Sequence, residues 1–131
     1  VIRDLFLYRN TFSQMINEGD EKISTNILSD RLKKLQENGF IEFINDKNDH
    51  KVKHYYLTDK GLDLNAVLYE MTMWSNRNLD RDFNEVSTDF LEKTKDVSRD
   101  LIISNGKDVY LKERKKILDH HLNQHEYRVN F

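Results

Sequence analysis

The spacing of the apolar residues changes abruptly at Gly39, and this change limits the folds that the chain can adopt. Before it, Leu28, Leu32 and Leu35 follow the i, i+4, i+7 spacing of a helix with one buried face. After it, residues 40–44 and 54–57 are short runs rich in strand-forming side chains, separated by the polar stretch 45–51. The pattern predicts a helix that ends at Asn38 and is followed by Gly39 in the left-handed conformation that favours glycine. A β-hairpin comes next.

Helical patterns flank this unit on both sides. Residues 1–8 form an apolar helical pattern, and Ser13 is placed to cap a short second helix that ends before Gly19. Ser24 is placed to begin the third helix, and Thr58 to cap a long helix over residues 59–79. The order of three helices, a hairpin and a further helix is that of a winged helix-turn-helix domain.

The pattern is weaker after residue 79. Phe83, Val86 and Phe90 suggest a helix, residues 104–106 (Ser-Asn-Gly) suggest a turn, and residues 109–122 suggest another helix. We therefore expect a mainly α fold with a small β-hairpin. It would comprise a winged helix-turn-helix DNA-binding domain over residues 1–79, with its first helix N-terminally incomplete and a dimerisation helix at 59–79, and a helical C-terminal segment of unknown role over residues 80–131.

The composition excludes several classes of function. The chain has no cysteine, which removes disulfides, thiolate metal sites and cysteine redox sensing. No apolar run approaches the roughly 20 residues that span a bilayer, and no signal peptide is visible, so a cytoplasmic location without membrane contact is expected. No nucleophile elbow, phosphate loop or dinucleotide glycine pattern is present, which predicts no catalytic residues and no cofactor.

Three histidines near the C-terminus are the strongest candidates for metal ligands. His121 and His125 have the i, i+4 spacing that lets two side chains share a metal on a helix, and His120 lies beside them. The glutamate of the His-Glu-x-x-His pattern is missing, and no cysteine assists. We therefore expect these histidines to be solvated, and we predict no metal site.

The charge of the chain gives only a weak indication of nucleic-acid binding. The net charge is −2, but residues 22–60 carry eight basic and six acidic side chains. One face of the third helix is polar, on the side opposite its leucines. The residues predicted to contact DNA on this helix are Ser24, Thr25, Asn26, Ser29, Asp30 and Lys33. The alternative interpretation is an ordinary solvated helix face.

The loop of the hairpin supplies a second candidate DNA contact. Its basic residues are Lys47, His50, Lys51 and Lys53, which could bind the phosphate backbone or enter the minor groove. The alternative is an exposed hairpin whose lysines keep it soluble and unpaired. Asp46 and Asp49 in the same loop favour that alternative.

The helix over residues 59–79 has two apolar stripes, although a helix at the edge of a small domain needs only one. Leu64, Val67, Leu68, Met71 and Trp74 form the first stripe. Leu62, Ala66, Tyr69 and Met73 form the second, which we expect at a dimer interface. The C-terminal segment could cover this stripe instead, and an aromatic pocket between Tyr69, Trp74 and that segment is a further hypothesis.

Several linked motifs resemble the HxlR family of bacterial transcription regulators. The stretch 23–41, with Ser24, Leu28, Arg31, Leu32 and Gly39-Phe40-Ile41, resembles the family's helix-turn-helix. Residues 2–5 (Ile-Arg-Asp-Leu), 12–15 (Phe-Ser-x-Met) and 55–61 (Tyr-x-Leu-Thr-x-x-Gly) and Trp74 are similar to its flanking motifs. The resemblance covers residues 1 to about 79. Winged-helix regulators of the MarR and PadR types share the fold and rank second.

The resemblance implies a non-enzymatic homodimer that binds double-stranded DNA at a palindromic operator. It places the polar face of the third helix against the major groove. Two features depart from the family: the wing lacks the usual prolines, and the sensing cysteine found in some members is absent. One alternative is a winged-helix module for protein–protein contact. Another is a ligand-responsive regulator of the MarR or PadR type, with an unidentified small-molecule effector.

Overall fold

The computed structural model describes the backbone of residues 1–79 and 85–129 and the side chains of residues 1–79 and 88–119. The mainly α fold with a small hairpin, in winged helix-turn-helix order, is confirmed. None of the helices within the described ranges is long and apolar enough to span a bilayer. The elements are α1 Ile2–Phe6, α2 Phe12–Glu18, α3 Thr25–Glu37, β1 Ile41–Asn45, β2 Lys53–Leu57, α4 Asp59–Leu62, α5 Leu64–Asn78, α6 Glu85–Lys93 and α7 Arg99–Val129.

The second helix starts two residues before the predicted position. Thr11, and not Ser13, is its N-cap, since the Thr11 hydroxyl accepts a hydrogen bond from the Gln14 N–H at 3.2 Å. The Gln14 side-chain oxygen accepts in return from the N–H groups of Asn10 (3.0 Å) and Thr11 (3.2 Å). This reciprocal capping box satisfies more donors than a lone serine could, so it sets the start of α2.

The third helix and the hairpin follow the predicted order. The Ser24 hydroxyl accepts from the Ile27 N–H at 3.3 Å and caps α3. Gly39 has the predicted left-handed conformation, with φ +78°, and the Phe40 N–H donates to the Leu35 carbonyl at 2.9 Å. The strands pair antiparallel, with Ile41 opposite Leu57 and Asn45 opposite Lys53.

The single helix predicted over residues 59–79 is interrupted. Thr58 caps α4 as predicted, by accepting from the Gly61 N–H at 3.2 Å. Asp63 then separates α4 from α5, although its backbone stays in the right-handed helical region (φ −62°, ψ −19°).

The turn predicted at residues 104–106 is wrong, because α7 runs without interruption from Arg99 to Val129. Gly106 faces α5, where a side-chain carbon would lie only 2.9 Å from the Asn65 amide nitrogen. The same amide donates to the Ile103 carbonyl at 3.0 Å. The small residues here allow α5 and α7 to pack closely. In the sequence, the same residues resemble a turn signal.

The core draws on almost every element. Its buried apolar residues are Leu5, Met15, Leu28, Leu32, Ile41, Tyr55, Leu57, Leu62 and Tyr110. The last of these belongs to α7, in the segment expected to be an extension. Its ring packs edge-on against Phe6 of α1, with ring centroids 5.5 Å apart. The C-terminal helix therefore completes the core of the helix-turn-helix unit.

Candidate nucleic-acid interface

The outward face of α3 is mainly polar. All six residues predicted to contact DNA are exposed: Ser24, Thr25, Asn26, Ser29, Asp30 and Lys33. On the opposite face Leu28 and Leu32 are buried in the core. The helix is thus held by one side and presents hydrogen-bonding groups on the other, which is the arrangement that reading of base edges requires.

The charges on this face are largely compensated within α3. Lys34 binds Asp30 at 2.9 Å, and this hydrogen bond raises the pKa of Lys34. The pairing offsets the repulsion that Asp30 would exert on a phosphate. Lys33 lies 4.0 Å from Glu37, and its side chain is 75% exposed. The Lys33 ammonium group is therefore accessible to DNA.

One exposed residue on this helix was missed in the sequence analysis. Ile27, in the first turn of α3, is 47% exposed although it is large and apolar. The sequence did contain one indication of this exposure, because Ile27 lies outside the stripe formed by Leu28, Leu32 and Leu35. An apolar side chain at the start of such a helix can contact the methyl group of thymine.

The wing gets its shape from the two aspartates that had favoured a role without DNA. The Asp46 carboxylate accepts from the N–H groups of Asn48 (3.0 Å) and Asp49 (3.1 Å), and from the His54 ring nitrogen at 2.8 Å. The Asp49 carboxylate accepts from the Lys51 N–H at 3.0 Å. Side-chain acceptors of this kind stabilise turns without proline. Both negative charges therefore serve to fold the loop.

The basic residues of the wing differ in exposure. His50, Lys51 and Lys53 are exposed, whereas Lys47 is half-buried. Lys53 lies over the ring of Phe43, with its ammonium nitrogen 4.4 Å from the ring centroid. The wing therefore combines a loop folded by its own carboxylates with basic groups that remain accessible to phosphate.

The Asp46–His54 pair makes the order of the wing depend on pH. The hydrogen bond from His54, with those from Asn48 and Asp49, holds the pKa of Asp46 below its usual value. A lowered pKa means that the stabilisation is fully present above the ordinary aspartate pKa, about 4, and is lost as the pH falls through the lowered value. We expect the protection of the Asn48 and Asp49 amides from exchange to fall in that acidic range, and to be low already at pH 7 in an Asp46→Ala variant. Equal protection in both proteins at pH 7 would contradict this role.

The stripe expected at a dimer interface faces inward. Leu62 is a core residue, so its assignment to an interface is wrong, and Ala66, Tyr69 and Met73 are half-buried. Three of the five residues of the other stripe are exposed instead, namely Val67 (51%), Met71 (61%) and Trp74 (53%). Helix α7 packs against α5, and Tyr69 of the inner stripe lines the cleft between these two helices, which supports the intramolecular alternative. Val67, Met71 and Trp74 form an exposed apolar face on α5.

A cleft of about 520 Å³ lies between α1, α5, α6 and α7. Aromatic residues of these four helices and of the segment after α1 line it, namely Phe6, Tyr8, Tyr69, Phe90 and Tyr110. The hypothetical pocket between α5 and the C-terminal segment corresponds to this cleft, although its lining includes Tyr69 and not Trp74. Arg3 and Asn65 add polar groups to the wall.

The sequence predicts that His120, His121 and His125 bind no metal. The side chains of these three histidines lie outside the described residues. Within the described part of the chain, no cluster of three or more histidine, aspartate or glutamate side chains could hold a metal ion.

Comparison with known proteins gives both a family and structural relatives. The sequence model of the HxlR-like helix-turn-helix family matches residues 1–83. The reduced form of the transcriptional regulator YodB from B. subtilis is 30% identical, over 63% of this chain and 79% of YodB, with a TM-score of 0.48. A MarR family transcriptional regulator from Listeria monocytogenes, solved with a 26mer DNA, is 23% identical over 87% of this chain and 72% of its own, with a TM-score of 0.54. This second similarity supports the fold. No curated protein matches the chain.

Proposed function

Because the chain belongs to the HxlR-like helix-turn-helix family, we propose that it is a bacterial transcription regulator that binds specific double-stranded DNA through α3 and the wing. Its activity is regulation by DNA binding and not catalysis. The observation that carries the proposal is the polar, exposed face of α3 on a helix anchored by Leu28 and Leu32. A function on DNA places the protein in the cytoplasm.

The two parts of the interface have different roles in this proposal. An α-helix fits the major groove, where Asn26 can pair with adenine, Ser29 with several bases, and Lys33 with guanine or phosphate. The exposed wing lysines, Lys51 and Lys53, bind phosphates and supply affinity that depends on salt. The accompanying acidic groups weaken this binding little, because Asp30, Asp46 and Asp49 are engaged in contacts within the protein.

We further propose that the regulator acts as a homodimer on a palindromic operator. The exposed stripe of Val67, Met71 and Trp74 on α5 supports this assembly, since a contiguous apolar surface marks an interaction site. A two-fold dimer presents two copies of α3, which read two half-sites about one helical turn apart. In this view residues 1–79 form the DNA-binding unit, and the C-terminal segment supports it.

Ligand-responsive regulation is the second candidate, and the cleft between α1, α5, α6 and α7 favours it. Its volume of about 520 Å³ lies within the range of small-molecule sites, and its lining is largely apolar with a few polar groups. The effector in this version of the function would be a small, mainly apolar molecule that occupies the cleft.

Selection of binding sites from a random duplex pool tests the main proposal. We expect the wild type to enrich an inverted repeat at physiological salt. Lys33→Glu should weaken binding to that repeat by about 5- to 150-fold, because it removes a contact worth about 1–3 kcal/mol and adds repulsion. The control is Lys93→Glu on α6, the same charge reversal at a lysine that is also 75% exposed.

The salt dependence of binding separates the alternatives. A steep fall in affinity with rising salt supports phosphate contacts by α3 and the wing. Binding that is weak, insensitive to salt and equal in the wild type and Lys33→Glu would instead favour a winged-helix module for protein–protein contact. Equal losses in Lys33→Glu and Lys93→Glu would mean that α3 has no special role.

A further inference from the structure

The main-chain groups at the end of the wing are held by side chains of the C-terminal helix. The Leu57 N–H, in β2, donates to the Tyr110 hydroxyl at 2.8 Å. The Leu57 carbonyl accepts from the Arg114 guanidinium at 3.1 Å. Tyr110 and Arg114 lie one turn apart on α7, so a single face of that helix binds both groups of one strand residue.

These contacts take the place of a neighbouring strand. In the observed register the N–H and carbonyl groups of Tyr55 and Leu57 point away from β1, towards the outer edge of β2. The Tyr55 N–H donates to the Asn10 carbonyl at 2.8 Å, and α7 serves Leu57. Leu57 is completely buried, and a buried main-chain group without a partner costs about 1–3 kcal/mol. The Tyr110 and Arg114 side chains therefore avoid this cost by bonding to both main-chain groups of Leu57.

Both residues are also held in position themselves. The Tyr110 ring is 4% exposed and packs against Phe6. The second terminal nitrogen of Arg114 binds the Asp59 carboxylate at 2.9 Å, at the start of α4. Arg114 thus joins α7 to the strand and to the helix that follows it. Neither residue belongs to the region that the family model matches, residues 1–83.

We propose that Tyr110 and Arg114 are positioning residues that hold β2, and with it the basic wing, in the orientation that binds DNA. The inference rests on the proposed DNA-binding function. It makes α7 part of the DNA-binding unit, because α7 holds β2 and the wing lysines lie close to this contact. Lys51 lies just before β2, and Lys53 is its first residue.

A double-mutant cycle on DNA binding tests this role. Tyr110→Phe keeps the ring and removes only the hydroxyl acceptor, so we expect a folded protein with about tenfold weaker binding to the selected site. The loss should be much smaller when Lys51 and Lys53 are already alanine, because a misplaced wing without lysines loses no further contacts. In a Lys33→Ala background, which affects α3, the same loss should remain tenfold.

Amide exchange on the free protein supplies a readout independent of DNA. In Tyr110→Phe the Leu57 N–H should exchange faster, whereas amides within α3 should keep their protection. Arg114→Lys keeps a hydrogen-bond donor and should therefore retain more affinity for the DNA site than Arg114→Met. If the wild type binds the site and Lys33→Glu does not, but Tyr110→Phe costs the same affinity with and without the wing lysines, the positioning role is overturned and the proposed function stands. Failure of the wild type to bind any DNA overturns the proposed function itself.

Discussion

Replacing Met71 by aspartate should weaken self-association of the protein by more than about a hundredfold. Met71 lies at the centre of the exposed stripe on α5 and is itself 61% exposed in the single chain. In a two-fold dimer each substitution counts twice, because the same surface occurs on both subunits. A charge in the apolar centre of an interface loses about 2 kcal/mol or more per copy.

Asn76→Asp is the matched control for this effect. Asn76 is exposed on α5, about 180° around the helix from the stripe, and the substitution adds the same charge. Sedimentation equilibrium at micromolar concentration should give a dimer for the wild type and for Asn76→Asp, and a monomer for Met71→Asp. A wild type that stays monomeric throughout this range removes the dimer from the proposed function.

The second large effect concerns the anchoring of α3. We expect Leu28→Ala to lower the free energy of unfolding by about 2–5 kcal/mol, the usual cost of a leucine-to-alanine cavity in a core. Leu28 is 1% exposed and belongs to the core, which α3 shares with both strands of the hairpin. Since small domains are stable by only about 5–15 kcal/mol, the recognition helix would lose much of its support.

The neighbouring residue supplies the control, since Ile27→Ala removes a similar side chain that is 47% exposed. It should change the free energy of unfolding by less than about 0.5 kcal/mol. Urea denaturation followed by circular dichroism measures both variants. Similar losses for the two substitutions would contradict the orientation of α3, and with it the face assigned to DNA.

The parts of the fold that sequence could predict are those with local causes. The spacing of Leu28 and Leu32, the cap at Ser24 and the left-handed Gly39 all act within a few residues of one another. The helix-turn-helix order, the hairpin and the exposed residues of α3 followed from them. The hydrogen bonds of the wing aspartates are also local. In the sequence analysis these residues were treated only as negative charges, so their role as hydrogen-bond acceptors for the loop was missed.

The features that sequence did not reveal depend on contacts between distant segments. Tyr110 enters the core because Phe6 and Leu57 meet it there, and the sequence around Tyr110 carries no mark of either partner. Gly106 faces Asn65 on another helix, so a residue chosen for close packing was interpreted as a turn. The inward position of Leu62 has the same origin, since this residue of α4 is buried among core residues from distant helices and strands.

The contacts at the outer edge of β2 also bear on aggregation. An open strand edge offers unpaired N–H and carbonyl groups to which another chain can add a strand, and this is a common route to polymerisation. In β2 the Tyr55 N–H is bonded to Asn10, and both main-chain groups of Leu57 are bonded to α7. A further strand could join this edge only by displacing three hydrogen bonds and a buried tyrosine. The C-terminal helix therefore protects the hairpin from intermolecular sheet formation.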